Sequence, residues 1–237
     1  MTASTKGVGR IIGTLILAQM IGGVLVNFVL AAPLFGSPGF LTNAAPHSLQ
    51  IALSVLLGLA MSALTLGIAI AGFPVFFRYT RALTLLFVAL ASVSLAISAV
   101  EQISVMSMVS LSEAYARASA AERESVQALR IVVASARNWS HYINLIIGGS
   151  TIFVLYAVLY RFALVPRVLA AFGLAAVLLQ LTAVAMPLFG LSIVFLMLAP
   201  LGVSQLVLAF WLIARDFRDP LKLRLERTEA QALGQEI

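Results

Sequence analysis

Unbroken apolar runs, each followed by a short polar turn, dominate the pattern along this chain. The runs are Ile11–Ala31, Ser48–Phe76, Ala82–Met108, Asn138–Tyr160, Pro166–Phe189 and Leu191–Ala214. A helix needs ~20 apolar residues to cross ~30 Å of hydrocarbon. Backbone groups in hydrocarbon must pair internally, so only helices or closed barrels span it. Barrel strands alternate apolar and polar over roughly ten residues, and these runs do not alternate. The pattern predicts an all-α, polytopic membrane protein with six transmembrane helices. The first run exceeds the ~7–15 apolar residues of a secretory signal, so it is read as a retained span. We find no internal repeat.

The connections differ in character. Residues 32–47 contain Pro33, Gly36, Pro38, Gly39 and Pro46 without a formal charge, which predicts a turn-rich loop. Arg78–Arg81 and Arg161–Arg167 are tight basic turns, and Pro187–Gly190 is an uncharged one. Leu111–Arg137 breaks the pattern with many charges among alanines. That composition favours helix. Glu113 and Arg117 stand four apart, as helical ion pairs do, and Ser119 with Glu122 fits a capping box. One helix or two both fit this segment. It is expected to lie outside the hydrocarbon, on the periplasmic side, with Leu129, Val132 and Val133 turned toward protein or headgroups. The predicted organisation is a single transmembrane domain over 1–215, an outer helical insertion at 111–137 within it, and a basic cytoplasmic tail at 216–237. In that tail Leu221, Leu223 and Leu225 alternate in a way that suits a membrane interface.

Composition agrees with these elements. The 237 residues are 62% hydrophobic and 10% charged, with a mean hydropathy of +1.06. Soluble domains carry about 25% charged residues, so the bilayer has to be the solvent for most of this chain. There is no cysteine, which excludes disulfides, thiol catalysis and thiolate metal sites. The net charge of +6 sits at span ends rather than in a basic domain, so nucleic acid is not an expected partner and membrane lipid is. Eleven of the fifteen lysines and arginines fall at the amino terminus, the Arg78 and Arg161 turns and the tail. The positive-inside rule then places both termini in the cytoplasm.

Polar residues within the spans carry whatever chemistry there is. Small and amide residues at helical spacing are how membrane helices pack, and Ser54, Gly58 and Ser62 are read that way. Gln205, beside Pro200 and Gly202, is expected to fill a backbone gap at a proline kink. Trp139 and Tyr142 are read as interface anchors. Glu101 is different, because an ionisable residue in the bilayer costs roughly 2.5–3.5 kcal/mol on insertion scales. It lies ~28 Å along the third span from Ala82, near the outer boundary. His141 near the outer end of the fourth span and His47 at the start of the second fall at the same level. The candidate ligand pocket comprises Glu101, His141, His47, Asn144, Gln50, Asn27, Gln180 and Ser98. His47, His141 and Glu101 are also the candidates for a zinc site with one open position. They lie on three separate helices without an H-E-x-x-H spacing, and neither a metal nor another cofactor is expected.

Several short motifs resemble a known family. Leu164-Val-Pro166-Arg167-Val-Leu-Ala-Ala-Phe-Gly173 is similar to its turn after the fourth span, and Leu206-Val-Leu-Ala-Phe-Trp211-Leu-Ile213 to its motif in the sixth. Ala45-Pro46-His47-Ser-Leu-Gln50 and Glu101 also stand at positions typical of it. The family is bacterial, six-spanning, and catalogued as domain of unknown function 4386. The chain departs from it at Gln205, where relatives often have an acidic residue, and at Ser98, where they often have an arginine one turn before the glutamate. The resemblance implies a fold and a multi-pass place in a bacterial inner membrane, and no reaction. Three functions remain open. One is binding or moving a small or amphipathic ligand through an outward-facing polar pocket between helices. Another is an intramembrane enzyme, with Glu101 as acid or base and His141 or His47 as partner. The third is a non-catalytic accessory protein docking through 111–137. The pattern does not fix an oligomeric state.

Overall fold

A computed structural model describes residues 7–218. Among them there is no strand. Eight α-helices form: α1 (Val8–Val24, continued as a π-helical turn over Leu25–Leu30), α2 (Ala32–Phe35), α3 (Phe40–Asn43), α4 (Ser48–Tyr79), α5 (Arg81–Arg117), α6 (Ala120–Arg161), α7 (Arg167–Ala185) and α8 (Ala199–Arg215). Six segments are long and apolar enough to cross a membrane, α1 with its π turn, α4, α5, α6, α7 with the turn after it, and α8 with the turn before it. Large apolar side chains line the outside of the bundle: Phe28 is 77% exposed, Leu49 76% and Val168 82%. Such a surface suits lipid as its solvent.

The bundle has two unlike ends. One gathers the start of α1, the α4–α5 turn at Thr80, the α6–α7 turn and the end of α8. It carries Arg10, Arg78, Arg81, Arg161, Arg167, Arg215 and Arg218. Asp216 closes this end. Its carboxylate accepts from the backbone N–H groups of Gly7 at 2.5 Å and Gly9 at 2.7 Å, where α1 leaves its first donors unpaired and its dipole favours an anion. A Cβ on Gly9 would come within 2.3 Å of that carboxylate. Phe217 packs on Phe76 with ring centroids 5.6 Å apart. The first residues of the expected tail are thus part of the bundle. Leu221, Leu223, Leu225 and the remainder of that tail lie outside the described residues.

The other end is a long hairpin. The expected outer segment is not a separate helix: α5 continues unbroken to Arg117, and α6 begins at Ala120 and runs into the fourth span. With 42 residues, α6 is ~63 Å long at ~1.5 Å per residue. The break falls at Ala118 and Ser119, where Ser119 and Glu122 form the capping box. Near the tip Leu129 is 52% and Val132 65% exposed, while Val133 packs on the apolar cluster below.

Three further expectations are corrected. Residues 32–47 are not simply a loop. Leu34, Phe40, Leu41 and Ala44 are buried against Val105, Met108 and Val109 of α5, and burial of that apolar surface folds the segment into α2 and α3. Ser112 pins it, donating to the Leu41 carbonyl at 2.8 Å and accepting from the Ala45 N–H at 2.9 Å. The sixth span is shorter than its apolar run, because Leu191–Val194 stays non-helical and α8 starts only at Ala199. Pro200 stands in the first turn of α8, where its missing N–H costs nothing and its fixed φ suits the helix. It makes no kink, and Gln205 fills no backbone gap.

Along α5 the buried residues change character in order. Phe87 and Ala91 belong to a large apolar core on the basic side. Ser94, Ser98 and Glu101 follow as a polar stretch. Val105, Met108 and Val109 then enter the smaller apolar core under α2 and α3. The functional candidates therefore sit in a polar layer between two apolar ones.

Candidate functional site

Two polar regions adjoin in this layer. The first is built on Glu101, whose side chain is 9% exposed. Because a carboxylate only accepts, His141 donates from Nδ1 to Glu101 Oε1 at 2.7 Å. Asn144 donates from Nδ2 to Oε2 at 2.9 Å. The Arg137 guanidinium stands 3.8 Å from Oε1 and is 12% exposed. The guanidinium also lies over the Phe35 ring of α2, 4.7 Å from the centroid. Arg137, His141 and Asn144 are spaced i, i+4, i+7 and share one face of α6. From Arg161 to His141 is ~30 Å along α6, about one hydrocarbon thickness.

The second region is a cavity of about 200 Å³ with walls from α1, α4, α5, α6, α7 and α8. Asn144 and Ser94 line it and also join it to the cluster, since Ser94 donates to Asn144 Oδ1 at 3.4 Å. Thr151, on the wall, is ~15 Å along α6 from Arg161, so the cavity is at mid-span. Its side chains include Gln19, Thr65, Gln180 and Gln205. Gln19 donates to Thr65 Oγ1 at 2.6 Å and to the Met61 carbonyl at 3.3 Å. Tyr156, fully buried, shares a hydrogen bond of 3.0 Å with Ser204. Gly173 makes room for it: a Cβ there would lie 2.1 Å from the Tyr156 ring. Gln180 is 8% exposed, and its Oε1 has no partner.

The sequence-derived candidates divide accordingly. Glu101, His141 and Asn144 are brought together, with Ser98 a turn below, where it accepts from Ser62 Oγ at 2.6 Å. Gln180 lies on the cavity wall. His47, Gln50 and Asn27 go elsewhere. His47 is exposed and donates to the Asn43 carbonyl at 2.8 Å. Gln50 donates to the carbonyls of Val29 at 2.9 Å and Leu30 at 3.3 Å, satisfying the end of the π-helical turn. Asn27 is exposed and bonds the Gly23 carbonyl of its own helix at 2.9 Å. With His47 away from Glu101 and His141, the three do not form a zinc site. Among the described residues no group of three His, Asp or Glu side chains is placed to hold a metal.

Arg137 and Gln205 were missed as site residues. Arg137 had a signal in its spacing to His141, hidden by drawing the span boundary at Asn138. Gln205 had none, because only the packing of α8 against its neighbours turns it to the cavity.

No curated protein and no solved structure matches the chain. The turn motif through Gly173 and the Trp211 motif both lie at packing contacts. Gly173 admits Tyr156, and Leu208, Ala209 and Leu212 are buried. The family described as domain of unknown function (DUF4386) matches residues 11–215, and the chain belongs to that family.

Proposed function

We propose that this protein binds a small, uncharged, hydrogen-bonding ligand in the mid-span cavity, with the Glu101 cluster as the outer boundary of the pocket. The single observation that carries this reading is the cavity itself, an uncharged space of about 200 Å³ at mid-span with the amides of Gln19, Asn144, Gln180 and Gln205 among its lining residues. Polar groups gathered inside an apolar bundle cost free energy unless they are hydrogen-bonded, and a bound molecule with donors and acceptors can supply those bonds. The size of the cavity, about 200 Å³, is below the ~300–1,000 Å³ of pockets for larger ligands, which argues for a small ligand over an amphipathic one. Purified protein in mild detergent, dialysed against a small-molecule extract of cells, should enrich a compound that Gln180→Leu does not. Equal enrichment, or none, by the two proteins would overturn the reading.

The protein acts, in this proposal, in a bacterial cytoplasmic membrane with both termini inside. The seven arginines at the Asp216 end, against Arg117, Arg123, Arg130 and Arg137 diluted by three glutamates toward the hairpin, support that orientation. An impermeant thiol reagent on intact cells should label Ser37→Cys and spare Thr228→Cys, the latter outside the described residues. The opposite pattern would reverse the orientation and make the hairpin cytoplasmic.

A second reading, an intramembrane enzyme, rests on the 2.7 Å contact between Glu101 and His141. Both carboxylate oxygens already accept from protein side chains, so a general base would first have to give up a partner. Binding is therefore the preferred reading.

A further inference from the structure

We propose that the α4–α5 and α6–α7 turns together bind the headgroup of an anionic phospholipid. This is independent of the cavity reading. The two turns adjoin in space: the Tyr79 ring of one lies against the Phe162 ring of the other, with centroids 5.3 Å apart. They carry Arg78, Arg81, Arg161 and Arg167 and no Asp or Glu. Among the described residues Arg81, Arg161 and Arg167 form no ion pair, and all three are exposed. Asp216, at the same end of the bundle, is taken up by the backbone N–H groups of Gly7, Gly9 and Phe217. The hairpin end differs. There Arg117, Arg123, Arg130 and Arg137 stand among Glu101, Glu113, Glu122 and Glu124. Arg117 lies 3.9 Å from Glu113 and Arg137 3.8 Å from Glu101. The hairpin end supplies its own counter-charge, and the two turns do not.

Depth selects the partner. Arg81 to Glu101 along α5 and Arg161 to His141 along α6 are each ~30 Å, about one hydrocarbon thickness. The turns therefore stand at headgroup level, where the phosphates of one leaflet lie, and basic clusters beside a span attract anionic headgroups. A zwitterionic headgroup brings its own ammonium, which the arginines repel, so a lipid of net negative charge fits better. The guanidinium groups are seated for a phosphate. Arg81 lies over the Phe77 ring, 5.5 Å from the centroid, and Arg161 over the Phe162 ring at 5.7 Å. Stacking on a ring face uses the plane of the guanidinium and leaves its edge donors for a bidentate contact with phosphate. Leu85, one turn on from Arg81, and Val168, next to Arg167, are exposed. Acyl chains thus meet an apolar surface directly beyond the basic one.

The test uses the full chain in mild-detergent micelles doped with phosphatidylglycerol or phosphatidylcholine of identical acyl chains. The rise in melting temperature of wild type should be several-fold larger with phosphatidylglycerol. Exposed charges are screened by salt, and at 1 M the Debye length is only ~3 Å, so the excess should largely vanish there. The double variant Arg81→Gln/Arg161→Gln should lose most of the excess at low salt. The double variant Arg117→Gln/Arg123→Gln, which removes the same charge from the hairpin, should keep it. The melts themselves show that each variant is folded, and the wild-type comparison of headgroups stands without them. Equal rises with the two lipids in wild type, or an excess that survives 1 M salt, overturn the proposal. An excess kept by Arg81→Gln/Arg161→Gln, or lost equally by the hairpin variant, overturns the assignment to the two turns.

Discussion

The Glu101 cluster and the glutamine cavity adjoin, share Asn144, and differ in one respect that decides their roles. In the cluster, although Arg137 Nε is buried without a hydrogen-bond partner, both oxygens of Glu101 beside it have found donors from the chain itself. In the cavity the amide of Gln180 has not. The Glu101 carboxylate, which attracts notice first in an apolar sequence, is therefore a settled part of the polar layer. The neutral amides are the unsettled part. A charge near the hydrocarbon boundary is too costly to leave alone, so folding pairs it, whereas an amide can be left for a ligand at a smaller cost. The comparison predicts opposite responses to removing polarity in the two places.

The largest effect is expected at Glu101. Glu101→Leu strips His141 and Asn144 of their acceptor and leaves the Arg137 cation, 12% exposed, without its counter-charge. Breaking a buried pair from one side costs about 3–5 kcal/mol. For a chain of this length that is on the order of 10 °C in melting temperature. Glu101→Gln should lose less, because its amide oxygen still accepts from one neighbour. Melting in detergent checks both, and equal stability of wild type and Glu101→Leu would show that the cluster does not hold α5 to α6.

A smaller loss is expected at the cavity floor. Gly173→Ala drives a methyl into the Tyr156 ring at 2.1 Å. Overpacking of this kind costs about 1–3 kcal/mol, and shifting Tyr156 would also disturb its bond to Ser204. Tyr156→Leu in the same chain should recover part of the loss. If it recovers none, the cost of Gly173→Ala comes from the backbone of α7 rather than from the ring.

How much of this was legible in the sequence follows from how local each signal is. The six apolar runs and the capping box at Ser119 depend on neighbours in the chain, and the helices follow them except in the sixth run, where α8 starts only at Ala199. The pairing of Glu101 with His141 and Asn144 could be anticipated from depth and facing, because each helix reports its own periodicity. The mid-span cavity could not, since it needs side chains from six segments and the packing between them. Residues 32–47 misled for a related reason. Their prolines and glycines state where the chain turns, but not that Leu34, Phe40 and Leu41 have an apolar surface on α5 to cover. His47 sat at the right depth and still turned away, because depth along a helix does not fix facing at a helix start, where the Asn43 carbonyl was within reach.

The smallest change in stability, and the sharpest contrast with Glu101, is expected at Gln180. Removing a buried polar group ordinarily destabilises when its partner is left behind. Gln180 Oε1 leaves no partner behind. Gln180→Leu keeps the approximate volume and replaces an unpaired amide with an apolar side chain beside Leu181. In the ligand-free protein it should therefore be neutral or stabilising, by up to about 1 kcal/mol. A ligand that binds only the folded state adds stability as its concentration rises above its dissociation constant. Wild type should then gain in melting temperature as the compound it enriches from the cell extract is titrated in, and Gln180→Leu should gain less. A Gln180→Leu protein much less stable than wild type without ligand would mean that the amide is bonded within the fold, by ordered water or by the chain. The contrast between a settled cluster and an unsettled cavity would then be lost.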